Sequence, residues 1–391
     1  MLFDMRRSKT LIACAVAACC YVLIFAVWRP VTFQSNVDYS CYYRAGLMGV
    51  SGLGSEVYDV DAQQQQDEYL RPVVTYGNGK FYSRPFVYTP HVLALFELLA
   101  LFPYRVSEWL WFLINVVILL AAPWAISREL KLPNWQRVFS ILFPVVLLPA
   151  VLTLMHGQVS IVILGLLTMF WLKLHRNQPI AAGVCLAFAT IKPQFVLPAL
   201  VALLAARNWK AVKGFLCSGA ALLAASSLLV GWRTTLSFPL TILNYAHIPS
   251  ERNGEIPIQM ANLRGIAAQL FPEHVVWFVA IATTLVLLVV WKLCRHPEQP
   301  GNFALLLVAT MLVSYHGYIT DLVLLTVVLP CVWADSHLRK AAILIVGFVL
   351  IPVAAGGLNL AALYFALALI CLLGTLIIRR LKSLTPAPAA G

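Results

Sequence analysis

The sequence predicts an all-α protein that crosses a membrane many times. Hydrophobic residues make up 61% of the 391 positions and charged residues only 11%, whereas about a quarter of the residues are charged in soluble proteins. Long apolar runs recur along the chain, separated by short breaks that carry Lys or Arg. We therefore expect a single domain spanning 1–391, built as a bundle of about 11–13 transmembrane helices.

The basic residues are typical of membrane topology rather than of nucleic-acid binding. The formal net charge is +12, but the Lys and Arg residues lie in the breaks between apolar runs. By the positive-inside rule these breaks face the cytoplasm, and no nucleic-acid partner is expected. The clusters are Arg128/Lys131/Arg137, Lys173/Arg176, Arg207/Lys210/Lys213, Lys292/Arg295, Arg339/Lys340 and Arg379/Arg380/Lys382.

The first element is expected to be a retained signal anchor. A basic start, MLFDMRRSK, precedes an apolar stretch of about 18 residues that no A-x-A cleavage site follows. A polar first extracytoplasmic loop, 29–84, comes next, and short amphipathic helices near 38–48 and 59–70 are expected to lie along the membrane surface within it. The motif DVD at 59–61 resembles a metal-binding D-x-D, although its setting favours a helix N-terminus.

The remaining apolar runs are expected to form hairpins with polar tips on the same side as the first loop. The tips are HGQ (156–158), KPQ (192–194), a second extracytoplasmic loop (233–274), HGYITD (316–321) and GGLN (356–359). Each arm of the KPQ hairpin would reach only about 18–20 Å, so broken helices are expected there. The run 86–103 is either re-entrant or shows that one basic cluster faces outward. The tail 379–391 is expected to be cytoplasmic, and its end, TPAPAAG (385–391), is expected to be disordered.

Ionisable residues at membrane depth are costly and mark candidate functional sites. Asp38 has two readings. It can cap a helix that starts at YSCYYRAG, or it can act as a general base at the membrane–water boundary, taking a proton from an acceptor hydroxyl as it attacks a sugar carbon. Tyr42, Tyr43 and Arg44 are candidates for the wall of such a site and for phosphate binding.

The other polar tips provide further candidates. Arg84 and Tyr88 are either interface anchors or substrate ligands. Lys192 has no acidic neighbour in sequence, so a phosphate ligand would neutralise it. The remaining candidates are His156 and Gln158 in the HGQ tip, Gln194 in the KPQ tip, and His316 and Asp321 in the HGYITD tip, where His316 is a possible proton shuttle.

The order of several motifs resembles the polyprenol-phosphate-mannose-dependent mannosyltransferases of glycosyltransferase family 87. The motifs are VDYSCYYRAG, EVYD, FVYTP, HGQVSIVILGLL, AFATIKPQF and RNWK. The resemblance implies the GT-C fold and an inverting transferase in the inner membrane, with its site facing the periplasm or exterior. It also implies a catalytic carboxylate just after the first span, which is Asp38 here. At Tyr88 the sequence has Tyr-Thr-Pro where the family would have Tyr-Pro-Pro, which weakens the role carried over to Tyr88.

The resemblance further implies a polyprenyl-phosphate-linked sugar, mannose, as the donor and a lipid or glycan as the acceptor. No metal or other cofactor is expected, because the lipid phosphate already tethers the donor and the nine cysteines show no metal-ligand spacing. The alternative is a polytopic transporter or lipid flippase. It would predict inverted repeats, and the long 29–84 loop has no counterpart in the second half of the sequence.

Overall fold

Helices form nearly all of the regular structure of this membrane protein. The computed structural model describes residues 2–28, 38–74, 84–245, 256–334 and 357–384. In these ranges no strand forms beyond an isolated bridge between Met260 and Tyr318. The predicted all-α polytopic class is confirmed, while the number of spans and the GT-C arrangement stay predictions.

The first half of the chain contains helices of very different lengths. Two proline-rich breaks and the polar tips divide them. The helices are α1 Leu2–Leu23, α2 Asp38–Val50, α3 Val60–Val74, α4 Leu93–Ala100, α5 Tyr104–Glu129, α6 Asn134–Val146, α7 Leu148–His156, α8 Ser160–His175 and α9 Pro179–Phe188.

The second half continues in the same way, with 3₁₀ turns at several helix ends. Its helices are α10 Leu197–Ala205, α11 Trp209–Val230, α12 Trp232–Tyr245, α13 Leu263–Leu270, α14 Val275–Leu293, α15 Pro300–Val313, α16 Val328–Ala334 and α17 Gly357–Leu384. The 3₁₀ segments are Gly54–Glu56, Pro90–Val92, Ala189–Ile191, Pro193–Phe195, Pro257–Gln259, Pro272–His274 and Ile319–Val327.

Only some of these helices are long enough to cross a bilayer alone. Among the described residues three qualify by length and apolar composition: Tyr104–Glu129, Trp209–Val230 and Pro272–Leu293. A fourth candidate is the pair Asn134–Val145 and Leu148–His156, bent by 53°. Pro144 and Pro149 lie on either side of that bend, and proline disrupts the hydrogen bonding that would continue the helix.

The first loop forms both expected helices, but one of them is buried. Asp59 caps α3, because its Oδ1 accepts the backbone N–H groups of Asp61 and Ala62, as the helix-start reading of DVD predicted. Helix α2 does not lie open on the surface, since its aromatic face packs against α4. The Tyr42 ring, for example, stacks on Phe96 at a centroid distance of 4.8 Å.

The run 86–103 is too short to be a simple span. Its 3₁₀ turn has 3 residues and α4 has 8, which together extend about 18 Å. A hydrocarbon core is about 30 Å thick. The structure therefore supports the re-entrant alternative, and the 26-residue α5 is the next helix long enough to cross a bilayer.

The KPQ hairpin consists of broken helices, as its length predicted. Helices α9 and α10 have 10 and 9 residues, and Lys192 between them has an extended backbone (φ −119°, ψ 94°). Glycines allow α9 to lie close against α11. A Cβ at Gly183 would collide with the carbonyl oxygen of Ala211, so this contact depends on small residues, as is common in membrane helix pairs.

Parts of the predicted loops lie outside the described residues. These parts are 29–37 and 75–83 of the first loop, 246–255 of the second loop, residue 356 of the GGLN tip and 385–391 of the tail. Helix α17 continues through Leu384 and so includes the first six residues of the predicted cytoplasmic tail.

Candidate active site

The polar tips meet at one cavity of about 600 Å³. Most of the predicted site residues line it, although they come from segments far apart in sequence. They are Asp38, Arg84, Tyr88, Gln158, Lys192, Gln194 and His316. The opposite wall is largely apolar and comes from α12, with Phe238, Pro239, Ile242, Leu243 and Tyr245.

Asp38 is the first residue of α2 and is contacted on both carboxylate oxygens. Its Oδ2 accepts a hydrogen bond of 2.5 Å from Nε2 of Gln158, and Nδ1 of His156 lies 3.6 Å from the same oxygen. Its Oδ1 lies 3.6 Å from Nη1 of Arg84. The side chain is only 7% exposed, so the cavity presents a partly desolvated carboxylate beside a cation.

The turn that carries His156 and Gln158 depends on Gly157. This residue has φ +67°, a left-handed conformation that favours glycine. A Cβ added there would lie 2.7 Å from the Cβ of Tyr39. The Gly157 carbonyl accepts a 2.7 Å hydrogen bond from Nε1 of Trp111, which holds the turn against α5.

A group of tyrosines lies behind Gln158. The Tyr42 hydroxyl donates to Oε1 of Gln158 at 3.3 Å and lies 2.7 Å from the hydroxyl of Tyr88. The Tyr88 backbone carbonyl in turn accepts a 2.5 Å hydrogen bond from Tyr58. Tyr42 has no exposed surface and does not line the cavity, so it supports the wall from behind.

Lys192 has a partner that its sequence neighbours do not reveal. Its Nζ lies 2.5 Å from Oδ1 of Asp321 and 3.2 Å from Oγ of Ser160. The Ser160 hydroxyl also hydrogen-bonds Asp321, and the other Asp321 oxygen accepts the Tyr318 backbone N–H at 3.0 Å. A buried carboxylate 129 residues away in the chain therefore pairs with Lys192, and phosphate binding by Lys192 stays a prediction.

Arg84 is the more accessible cation of the cavity. Its side chain is 42% exposed, and the neighbouring Asp38 carboxylate raises the pKa of its guanidinium. The guanidinium carbon lies 6.0 Å from the Tyr318 ring centroid. The Tyr318 ring meets the His316 ring edge-on at 4.9 Å, so Arg84 and His316 lie on the same side of the cavity.

The HGYITD tip is held in place by the segment before α13. The Ala261 backbone N–H donates to the Gly317 carbonyl at 2.9 Å, and the Asn262 side chain donates to the Ser314 carbonyl at 2.7 Å. Within α13, the guanidinium carbon of Arg264 lies 4.0 Å from the centroid of the Tyr315 ring. These contacts fix the tip that carries His316.

Five of the predicted substrate ligands do not line the cavity: Tyr42, Tyr43, Arg44, His156 and Asp321. Arg44 is 1% exposed and pairs with Asp67 at 2.7 Å. It also donates to the Gln63 side chain and to the Arg84 carbonyl. The Tyr43 hydroxyl donates to the Phe102 carbonyl at 2.9 Å. Arg44 thus joins α2, α3 and the start of the next segment, and Tyr43 joins α2 to the chain between α4 and α5.

Sequence reasoning missed several residues of the site. Tyr315 and Tyr318 line the cavity beside His316, and their position next to that tip was an available signal. The α12 wall was not predicted, because nearly all of α12 lies in 233–274, which was expected to be an extracytoplasmic loop. Ser160, Gln63 and Asp67 were also missed, since their roles depend on contacts between distant segments.

A second cavity of about 420 Å³ lies next to the first. The two share Phe238 and Pro239 of α12 as lining residues. The lining of the second cavity is mainly apolar and comes from α11 and the 89–91 segment, including Phe215, Leu216, Gly219, Leu222 and Leu223. It is thus suited to an apolar chain.

A family comparison identifies the kind of protein that carries this site. The model of glycosyltransferase family 87 matches residues 86–314, more than half of the chain. The chain belongs to glycosyltransferase family 87. A comparison with curated proteins finds no match.

Family 87 membership makes the protein a membrane glycosyltransferase and favours an enzyme over a transporter. The matched range contains Tyr88, His156, Gln158, Lys192 and Gln194. It does not contain Asp38, Arg84 or His316, and the roles of all these residues, inside and outside the range, stay predictions. The donor, the sugar and the acceptor also lie beyond what membership establishes.

Proposed function

We propose that this protein transfers mannose from a polyprenyl-phosphate-linked donor to a lipid or glycan acceptor, with inversion at the sugar carbon. The observation that carries the proposal is the contact of Asp38 and Arg84 at 3.6 Å in the wall of one cavity. A base for the acceptor and a cation for the leaving phosphate are what such a transfer requires.

The reaction would proceed in one displacement. Asp38 takes the proton of the acceptor hydroxyl while the hydroxyl oxygen bonds to C1 of the sugar. The bond between C1 and the phosphate oxygen breaks, and the electron pair leaves with the polyprenyl phosphate. Arg84 stabilises the charge that develops on that phosphate, and His316 and the Lys192–Asp321 pair complete the polar wall.

The second cavity supports a lipid-linked donor. It lies beside the polar cavity and shares Phe238 and Pro239 with it. With the sugar and phosphate in the polar cavity, the first isoprene units would lie against these two residues and continue into the apolar one. We further propose that the site faces the periplasm or exterior of the cell's inner membrane, because the basic clusters predict cytoplasmic loops at the opposite helix ends.

The test is direct transfer by purified protein in lipid nanodiscs. Radiolabelled polyprenyl-phosphate mannose is supplied with acceptors from a bacterial membrane lipid extract. We expect transfer by the wild type and a loss of about 10²- to 10⁴-fold in Asp38→Asn, the usual contribution of a general base. Full activity of Asp38→Asn would exclude Asp38 as the base, and no transfer from any polyprenyl-phosphate sugar would exclude this donor class.

A further inference from the structure

We infer that Gln158 is a positioning residue that holds one oxygen of Asp38 and leaves the other to accept the proton. The inference rests on the proposed function and assigns a different role from substrate binding, which the sequence had suggested for Gln158. Gln158 is 6% exposed and lies between the reacting carboxylate and the buried tyrosines of α2 and the 84–89 segment.

The chemistry of its amide determines how Gln158 is oriented. Only the –NH₂ end of a glutamine can donate to a carboxylate, so Nε2 faces Oδ2 of Asp38, 2.5 Å away. Oε1 then points the opposite way and accepts from the Tyr42 hydroxyl. Both ends of the amide are engaged by protein, and the fully buried Tyr42 ring is itself fixed by stacking on Phe96.

This arrangement distinguishes the two oxygens of Asp38. Oδ2 is occupied by Gln158 and has His156 nearby. Oδ1 has only the longer 3.6 Å contact with Arg84 among its described ion pairs, and Arg84 faces the donor phosphate in the proposed reaction. Oδ1 is therefore the oxygen that takes the acceptor proton, while the Gln158 hydrogen bond keeps the carboxylate from rotating.

Azide allows base positioning to be measured separately from donor binding. It carries no proton, so its attack on the sugar carbon needs the donor site but not the base. The acceptor hydroxyl needs both. The ratio of glycosyl azide to glycosylated lipid therefore rises when the base is lost or misplaced. The ratio stays constant when a substitution disturbs only the donor site or the fold.

The experiment compares Gln158→Leu, Tyr42→Phe, Asp38→Asn and wild type in nanodiscs, with polyprenyl-phosphate mannose as donor. Sodium azide or the membrane lipid extract serves as acceptor. Gln158→Leu is expected to slow transfer to lipid about 10- to 100-fold, because a misplaced base loses part of the rate enhancement that a general base gives. Azide transfer should stay at the wild-type rate. Tyr42→Phe keeps its ring and should show a smaller change of the same kind.

Gln194→Leu is the matched comparison, because Gln194 also lines the cavity. It should change both reactions equally, if at all. The inference is overturned if Gln158→Leu slows azide transfer as much as lipid transfer, or if it slows neither. That result differs from failure of the proposed function, in which the wild type does not use the donor or Asp38→Asn transfers to lipid at full rate.

Discussion

At the level of single residues, Gly157 explains how one tight turn directs two side chains to the same carboxylate. His156 and Gln158 flank it, and both contact Oδ2 of Asp38. The left-handed backbone at Gly157 and the close Tyr39 side chain leave no room for a larger residue. The positions of the His156 and Gln158 side chains relative to Asp38 therefore depend on the backbone conformation of this turn.

Arg84 should matter chiefly for the donor. Replacing Arg84 by Gln removes the cation that faces the leaving phosphate, so we expect kcat/KM for the donor to fall about 10²- to 10³-fold, as for loss of one transition-state donor. Arg84→Lys should retain part of the activity because it keeps the charge but not the planar fork. Initial rates over a range of polyprenyl-phosphate mannose concentrations measure both effects.

Arg176→Gln is a suitable control for this prediction. Arg176 also pairs with a carboxylate, Glu129, at 2.5 Å, but it lies 51% exposed and outside the cavity. Its replacement should leave the donor kinetics unchanged. Donor kinetics of Arg84→Gln equal to those of the wild type would show that another group stabilises the phosphate.

Residue types in an apolar context were sufficient to predict most of the polar side chains of the cavity wall. Asp38, Gln158, Lys192 and His316 were all found because polar groups at membrane depth are costly. The partner of Lys192 could not be found in this way, since Asp321 is distant in sequence and becomes a neighbour only through folding. Arg44 was misjudged for the same reason, because Asp67 and Gln63 surround it only in the folded chain.

At the level of elements, the Lys192–Asp321 pair joins two breaks in apolar helices. Lys192 lies between α9 and α10, and Asp321 lies in the 3₁₀ segment Ile319–Val327. Ser160 at the start of α8 bonds to both. The pair therefore holds three elements together around the cavity. Among the described residues, neither Lys192 nor Asp321 has another ionic partner.

Removal of one member of this pair should destabilise the protein. Lys192→Met would leave Asp321, which has no exposed surface, as an uncompensated buried charge, and such a loss costs about 3–5 kcal/mol. Lys192→Met combined with Asp321→Asn should recover most of that stability, since no charge is left unpaired. Thermal unfolding of the single and double variants in detergent gives the coupling energy.

Additive losses in the double variant would contradict this prediction.

The breaks themselves could be predicted from sequence, because Pro, Gly and short arm lengths all indicated them. What connects the breaks could not be predicted, since hydropathy carries no information on which tip contacts which. The burial of α2 was also missed, because a polar loop beside a membrane suggests exposure until α4 is seen to cover it.

At the level of the whole molecule, α12 separates a polar cavity from an apolar one. Phe238 and Pro239 line both. The fold class and the family were predicted from composition and motif order. The two cavities were not, because the helix that separates them lies almost entirely in 233–274, which was expected to be an extracytoplasmic loop.

Filling the apolar cavity should discriminate between donors by chain length. Gly219 lines it, and a Cβ there would have no atom within 4 Å, so Gly219→Leu would occupy space without a clash. We expect KM for a long-chain polyprenyl donor to rise about tenfold. This rise corresponds to losing the free energy gained by burying about two methylene groups. KM for a donor with one or two isoprene units should not change.

Gly374→Leu is the matched control, because a Cβ at Gly374 also meets open space and α17 does not line this cavity. It should leave both donors unaffected. An equal rise in KM for the short and long donors in Gly219→Leu would mean that the lipid chain lies elsewhere.

The contact between Arg84 and Asp38 has an electrostatic consequence for the proposed reaction. Lys192 and Asp321 cancel each other, so the bound donor phosphodiester adds one negative charge to a balanced group of four residues. During transfer Asp38 becomes neutral as it takes the proton, and the phosphate gains a second negative charge as it leaves. The total charge is the same before and after, and it moves only from one side of the Arg84 guanidinium to the other. The chemical step therefore leaves the net charge of the cavity unchanged, with the Arg84 guanidinium next to an anionic group at every stage.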